Sequence, residues 1–168
     1  GVLRNVQRDA DRWRALDPAL LFPEWLASRW AARYGAGAIP DFAEALLAGA
    51  PLDLTLKHDD PDLVRALGAI PVLGRSVRLE TRDAAVADLP GFAQGKWWVQ
   101  DFAATLPALL LDAKPGEKVL DLCAAPGGKT AQLAAIGAEV TALDISPERM
   151  ARVSENLARL GLSAKIVI

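Results

Sequence analysis

The sequence predicts an α/β chain whose C-terminal part opens a Rossmann-type parallel sheet, with a small α+β layer ahead of it. Three observations carry this. Lys118–Leu122 is a short apolar run with a charge on either side, as in a strand buried in a parallel sheet. A loop of small residues, Cys123–Thr130, follows it and leads into a helix carrying Gln132, Leu133 and Ala135. A second strand, Glu139–Leu143, then ends at Asp144. The acid lies roughly 20 residues past the loop, where a Rossmann-type site uses a carboxylate to accept hydrogen bonds from a ribose.

The loop has its own physics. Gly127 and Gly128 allow positive φ and close approach of backbone N–H groups to a ligand. The N-terminus of the next helix adds partial positive charge. Gly128-Lys129-Thr130 resembles the end of a phosphate-binding P-loop, G-x-x-x-x-G-K-T, but that pattern needs glycine where Cys123 stands. Pro126 also removes a backbone donor that a phosphate cradle uses. A P-loop NTPase and a plain turn without a ligand remain alternatives on these residues alone.

Before this stretch, Leu3, Val6, Ala10 and Trp13 share one face of a helix while Arg4, Arg8 and Arg12 recur on another. With Asp9 and Asp11 close by, that basic stripe reads as a solvated face rather than an RNA-facing one. Pro18 marks a boundary, and Pro23 opens a helix in which Leu26, Trp30 and Tyr34 form a stripe read as core packing. Gly35 and Gly37 end it, and a second helix spans Asp41–Ala48. Leu52–Leu56 alternates as a half-buried strand does, with Asp53 and Thr55 on the polar face. A short helix follows at Asp62–Leu67, then strands at Val72-Leu73 and Ser76–Thr81. Lone His58, in an acidic loop without triad or metal spacing, reads as solvated. Trp97-Trp98-Val99 reads as a strand entering the next domain, and Asp101 as the cap of a helix through Leu111, which Pro107 should kink or leave with an unpaired turn. Finally, Ser146 caps a helix starting at Pro147, with Met150, Val153, Leu157 and Leu160 facing inward. Gly161 ends that helix and Ala164–Ile168 starts a third parallel strand.

Composition sets limits. The 168 residues hold 19 Lys+Arg and 21 Asp+Glu, a net charge of -2, which gives no electrostatic sign of nucleic-acid binding. One cysteine excludes an internal disulfide and a Cys-rich zinc site, and fits a reducing cytoplasm. No apolar run is long enough to span a membrane, and no basic-then-apolar leader is present.

The run Leu120-Asp121-Leu122-Cys123-Ala124-Ala125-Pro126-Gly127-Gly128-Lys129-Thr130 resembles the first motif of the RsmB/Nop/Sun RNA cytosine-5 methyltransferases. The resemblance extends through Val99-Gln100-Asp101, Ala142–Ser146, Glu155-Asn156-Leu157 and Arg159–Leu162. It implies three parts: residues 1–17 as the end of a NusB-like RNA-binding domain, 18–95 as an α+β RRM-like module, and 96–168 as the first half of an S-adenosylmethionine (SAM) methyltransferase sheet. It further implies that Cys123, Ala124, Ala125, Pro126, Gly127, Gly128 and Lys129 cradle SAM, with loop amides on its methionine end. Asp144 would hold the ribose, Ile145 would lie beside the adenine, and Arg149 would join the contacts. Enzymes of this family add a cysteine thiolate to carbon 6 of cytosine, which activates carbon 5 for methylation. Cys123 belongs to the cofactor loop, so no catalytic residue is expected in this chain.

The implied partner is RNA, most of all ribosomal RNA, for a cytoplasmic monomer with no metal and no membrane. An RNA-binding scaffold with a decayed SAM site is a further alternative. Where the family has Glu and Ser after the Gln-Asp pair, this chain has Phe102 and Ala104, which puts the bonding around that helix in question. A three-stranded half-sheet leaves strand Lys118–Leu122 without its usual neighbours, so the working enzyme is expected to continue past Ile168.

Overall fold

The computed structural model describes residues 17–80 and 85–168; the helix read over Gly1–Trp13 and residue Thr81 lie outside them. The chain forms two compact units, one running to Ala50 and the other from Pro51 to Ile168. Residues 51–95 and 96–168 therefore pack within the same unit.

In the first unit a 3-10 turn at Pro18–Leu21 precedes α1 (Glu24–Tyr34) and α2 (Ala38–Ala48). Helix α2 starts three residues earlier than the sequence reading placed it. Pro40 sits in its first turn, where a missing N–H removes no intrahelical bond. Trp30 and Tyr34 meet Phe42 edge to face, with ring centroids 5.1 and 5.6 Å apart, so the aromatic stripe packs helix on helix.

The second unit opens with β1 (Asp53–Leu56), α3 (Pro61–Ala66), β2 (Ala69–Leu73), β3 (Ser76–Leu79) and β4 (Trp97–Val99). These strands form an antiparallel sheet in the order β2-β3-β1-β4. It continues with α4 (Phe102–Leu111), β5 (Lys118–Asp121), α5 (Gly128–Ala135), β6 (Glu139–Leu143), α6 (Pro147–Leu160) and β7 (Lys165–Val167). The last three strands are parallel, in the order β5-β6-β7.

Three expectations change. Strand β4 does not enter the parallel sheet but pairs with β1, completing the antiparallel one. Its two tryptophans point to opposite faces, as a strand requires, and serve different cores. Trp97 packs with Leu54, Leu56 and Val77, and Trp98 with Ala131, Ala142 and Met150. Strand β1 is buried along its whole length, so Asp53 and Thr55 do not face solvent. Asp53 instead pairs through both oxygens with Arg78, at 2.7 and 2.9 Å, and accepts the Phe102 N–H at 3.1 Å. Strand β5 is less buried than a central strand, with Leu120 55% exposed.

Pro107 lies inside α4 without ending it. The carbonyl it leaves unpaired belongs to Ala103, and both residues are exposed, so water can satisfy it. Helix α6 follows its pattern closely. Ser146 accepts the Arg149 N–H, Pro147 is the first residue, Gly161 closes the end, and Met150, Val153, Leu157 and Leu160 are all buried.

Candidate functional site

The loop between β5 and α5 is braced from every side. The Thr130 hydroxyl donates to the Asp121 carboxylate at 2.8 Å, tying the first turn of α5 to the end of β5. The Ala124 N–H donates to the Leu143 carbonyl at 3.1 Å, and the Ala125 N–H to Asp144 Oδ2 at 3.2 Å. Arg149 donates to the Ala125 carbonyl at 2.8 Å and Asn156 to the Pro126 carbonyl at 3.2 Å. The Ala125–Pro126 peptide is cis, and Gly127 turns the chain into α5 with φ 108°. A Cβ on Gly127 would stand 3.3 Å from Val153 Cγ1. Arg149, Val153 and Asn156 recur at i, i+4 and i+7, so one stripe of α6 supports the whole loop.

Asp144, at the end of β6, has a side chain only 4% exposed. Its second oxygen accepts the Ser146 N–H at 3.2 Å, and the Arg149 guanidinium lies 3.6 Å away. The Ser146 N–H first, then the Ala125 N–H and the Arg149 charge, hold its carboxyl below the usual carboxylate range against the cost of burial. A carboxylate has about four acceptor positions; the Ala125 and Ser146 N–H groups take two, with the Arg149 guanidinium beside them. Ile145 beside Asp144 is 91% exposed, an apolar side chain at the surface.

A cavity of about 240 Å³ lies along the loop, with Asp101, Cys123, Pro126, Gly128 and Lys129 in its wall. No side chain caps α5, so its first N–H groups are left without a side-chain acceptor. The expectation that all the loop amides are offered to a ligand needs narrowing. Those of Ala124, Ala125 and Gly127 are spent inside the protein, the last on the Ala124 carbonyl at 2.7 Å. The donors that remain are those of Gly128 and Lys129 at the start of α5.

The structure thus brings Cys123–Lys129, Asp144 and Arg149 together, with Ile145 next to them. His58 is exposed, as read. Asn156 and Gln100 were missed as site residues, although both lie in stretches that carried the resemblance. For Asn156 a signal existed, because it falls on the same stripe of α6 as Arg149 and Val153. Among the described residues no group of three His, Cys, Asp or Glu side chains could hold a metal ion, and no helix is long and apolar enough to cross a membrane.

Three parallel strands in this order, with a glycine-turned loop after the first and an acid after the second, form part of a Rossmann-type methyltransferase fold. Residues 108–168 match the family model described as 16S rRNA methyltransferase RsmB/F. Over 99% of its length it is 39% identical to ribosomal RNA small subunit methyltransferase B of Erwinia tasmaniensis, of which it spans 42%. The protein of the same name from Pseudomonas putida is 38% identical, with the same coverage. A methyltransferase homolog from Pyrococcus horikoshii superposes with a TM-score of 0.74 at 29% identity, covering 90% of this chain and 54% of that one. NSun6 from the same organism, solved with SFG, gives a TM-score of 0.75 at 15% identity, over 87% and 65%. The likeness to NSun6 speaks for the fold.

Proposed function

We propose that the intact protein is a SAM-dependent RNA methyltransferase, and that this chain supplies its cofactor-binding half together with an RRM-like module. The observation that carries the reading is the braced loop, with a cavity and free donors at the start of α5 along it and a buried, ionised Asp144 bonded to its Ala125 N–H. The residues fit the cofactor. The first N–H groups of α5 and Lys129 suit the carboxylate end of its methionine moiety. The Asp144 carboxylate suits the ribose hydroxyls as an acceptor, and Ile145 offers the adenine an apolar surface. Arg149 acts by holding the Ala125 carbonyl and Asp144 in place. When bound, SAM supplies an electrophilic methyl group.

The names of the relatives support ribosomal RNA as the substrate, while cytosine carbon 5 as the methylated atom and the cytoplasm as the location rest on the resemblance of the loop motif. The thiolate that adds to carbon 6 then belongs to a part of the enzyme outside this chain. A P-loop NTPase is disfavoured by Thr130. In that machinery its hydroxyl would face magnesium; here Thr130 is fully buried and bonded to Asp121.

Calorimetry on the intact protein tests the reading. SAM and S-adenosylhomocysteine should bind. Asp144→Ala should weaken binding by about tenfold or more, since hydrogen bonds to a charged acceptor are lost. Binding of ATP–magnesium without binding of SAM would overturn the proposal.

A further inference from the structure

Gln100 stands between the two sheets, is 5% exposed and is engaged at both ends of its amide. Its Oε1 accepts from the Thr55 hydroxyl at 3.0 Å and from the Trp98 indole N–H at 2.7 Å. Its Nε2 donates to Gln132 Oε1 at 3.0 Å and to the Ala104 carbonyl at 3.4 Å. Gln132 passes the chain on, donating to the Thr105 carbonyl at 3.1 Å. The orientation of the amide is not arbitrary. An indole N–H can only donate, so the oxygen must face Trp98 and the nitrogen must face Gln132. Every polar atom in this buried chain has a partner, which makes the arrangement rigid and specific.

The amide also lies flat against the start of α5. A Cβ on Gly128 would stand 3.3 Å from Gln100 Cγ and 3.4 Å from its Cδ. Gln132 is one turn further along the same helix. Gln100 therefore touches α5 at two successive turns, by packing at Gly128 and by a hydrogen bond at Gln132. Two such points set both the rotation of the helix and its position along its axis. The N-terminus of that helix carries the free donors that border the cavity.

We propose that Gln100 is a positioning residue for the cofactor loop, and that Thr55 on the antiparallel sheet holds Gln100 in place for that task. The inference rests on the cofactor reading above and deepens it. The antiparallel sheet then acts on cofactor affinity by fixing Gln100, which with Val99 also lines the cavity. It does so through Thr55 and Trp98, which fix the Gln100 oxygen, and through Gln132, which receives its nitrogen. Thr55→Val keeps the shape of the strand residue and removes one donor. Gln100→Met keeps the length of the side chain and removes all four hydrogen bonds of its amide.

The test uses the intact protein, with S-adenosylhomocysteine as the probe, by calorimetry at 25 °C, alongside thermal unfolding of each variant. Losing one neutral hydrogen bond from a positioning chain should raise Kd about threefold for Thr55→Val, and losing several about tenfold or more for Gln100→Met. Affinity for RNA should stay within about twofold, because the free-energy change sits at α5. A purely structural role would lower the unfolding temperature and leave the Kd of the folded protein where it was. If Gln100→Met does not fold, Thr55→Val decides alone, since valine suits a strand. An unchanged Kd in the folded variants, with binding by the unsubstituted protein intact, overturns the inference and spares the cofactor reading. Absence of binding by the unsubstituted protein overturns both.

Discussion

Replacing Gly127 by alanine should be costly for two reasons that can be measured apart. The residue has φ 108° and ψ 8°, where an L side chain is strained by about 1–2 kcal/mol. The added Cβ would also lie 3.3 Å from Val153 Cγ1 and 3.4 Å from Val153 Cα. Val153 is fully buried in the middle of α6 and cannot swing away, so overpacking adds about 1–3 kcal/mol. Alanine restricts the unfolded chain and returns about 0.4–1 kcal/mol. The net loss should be about 2–3 kcal/mol, read as a shift in urea midpoint with an unchanged slope. In a Val153→Ala background the Cγ1 contact is absent, so Gly127→Ala should then cost only the backbone part. A coupling of about 1 kcal/mol between the two substitutions is expected. A cost for Gly127→Ala below about 0.5 kcal/mol, the range of ordinary surface changes, would refute the reasoning. So would an equal cost in both backgrounds, which would show that α6 does not press on the loop.

Asp53 should govern part of the acid limb of stability. The Arg78 guanidinium, followed by the Phe102 N–H, holds its carboxyl below the usual range. A lowered native pKa means that the unfolded chain takes up the proton first. The contribution is therefore complete above about pH 4, the unfolded value, and is lost as pH falls through the lower native one. Asp53→Asn should flatten that limb in urea titrations, and an unchanged slope between pH 5 and 3 would count against it. Cys123→Ser in the intact enzyme should keep most activity and still trap RNA covalently on a 5-fluorocytosine substrate, because Cys123 belongs to the cofactor loop. Loss of the adduct with SAM and RNA binding preserved would make Cys123 the nucleophile.

What could be read directly from the residues was local. Ser146, Pro147 and the spacing of Met150, Val153, Leu157 and Leu160 specify α6, because cap, first turn and buried stripe all lie within one helix. The loop was readable for the same reason, since Gly127, Gly128 and the acid sixteen or seventeen positions on form one βαβ unit. Asp53 and Thr55 show where such reading stops. On a strand, an alternating polar residue has the pattern of a solvent face, yet both are buried. Their partners, Arg78 and Gln100, stand 25 and 45 positions away. No local pattern records a hydrogen bond of that span. The braces on the loop were hidden in part by chemistry. Nothing in the local pattern of α6 tells that Arg149 donates to the Ala125 carbonyl, 24 positions back.

The pairing of β1 with β4 bears on how this unit assembles as it is made. Ribosomal synthesis proceeds at roughly 5–20 residues per second, from the N-terminus onward. Strands β1, β2 and β3 emerge within one short stretch, and β3 can cover one edge of β1 at once. The other edge must wait for Trp97–Val99, which pairs with Leu54–Leu56 from more than forty positions downstream. For several seconds β1 offers unpaired N–H and C=O groups, flanked by Leu54 and Leu56, to whatever strand comes near. Since Trp97 and Trp98 bury opposite faces of β4, the delayed strand brings both cores together when it docks. The antiparallel sheet can thus be finished only as the cofactor half begins to appear, and the two should fold as one cooperative event rather than in succession.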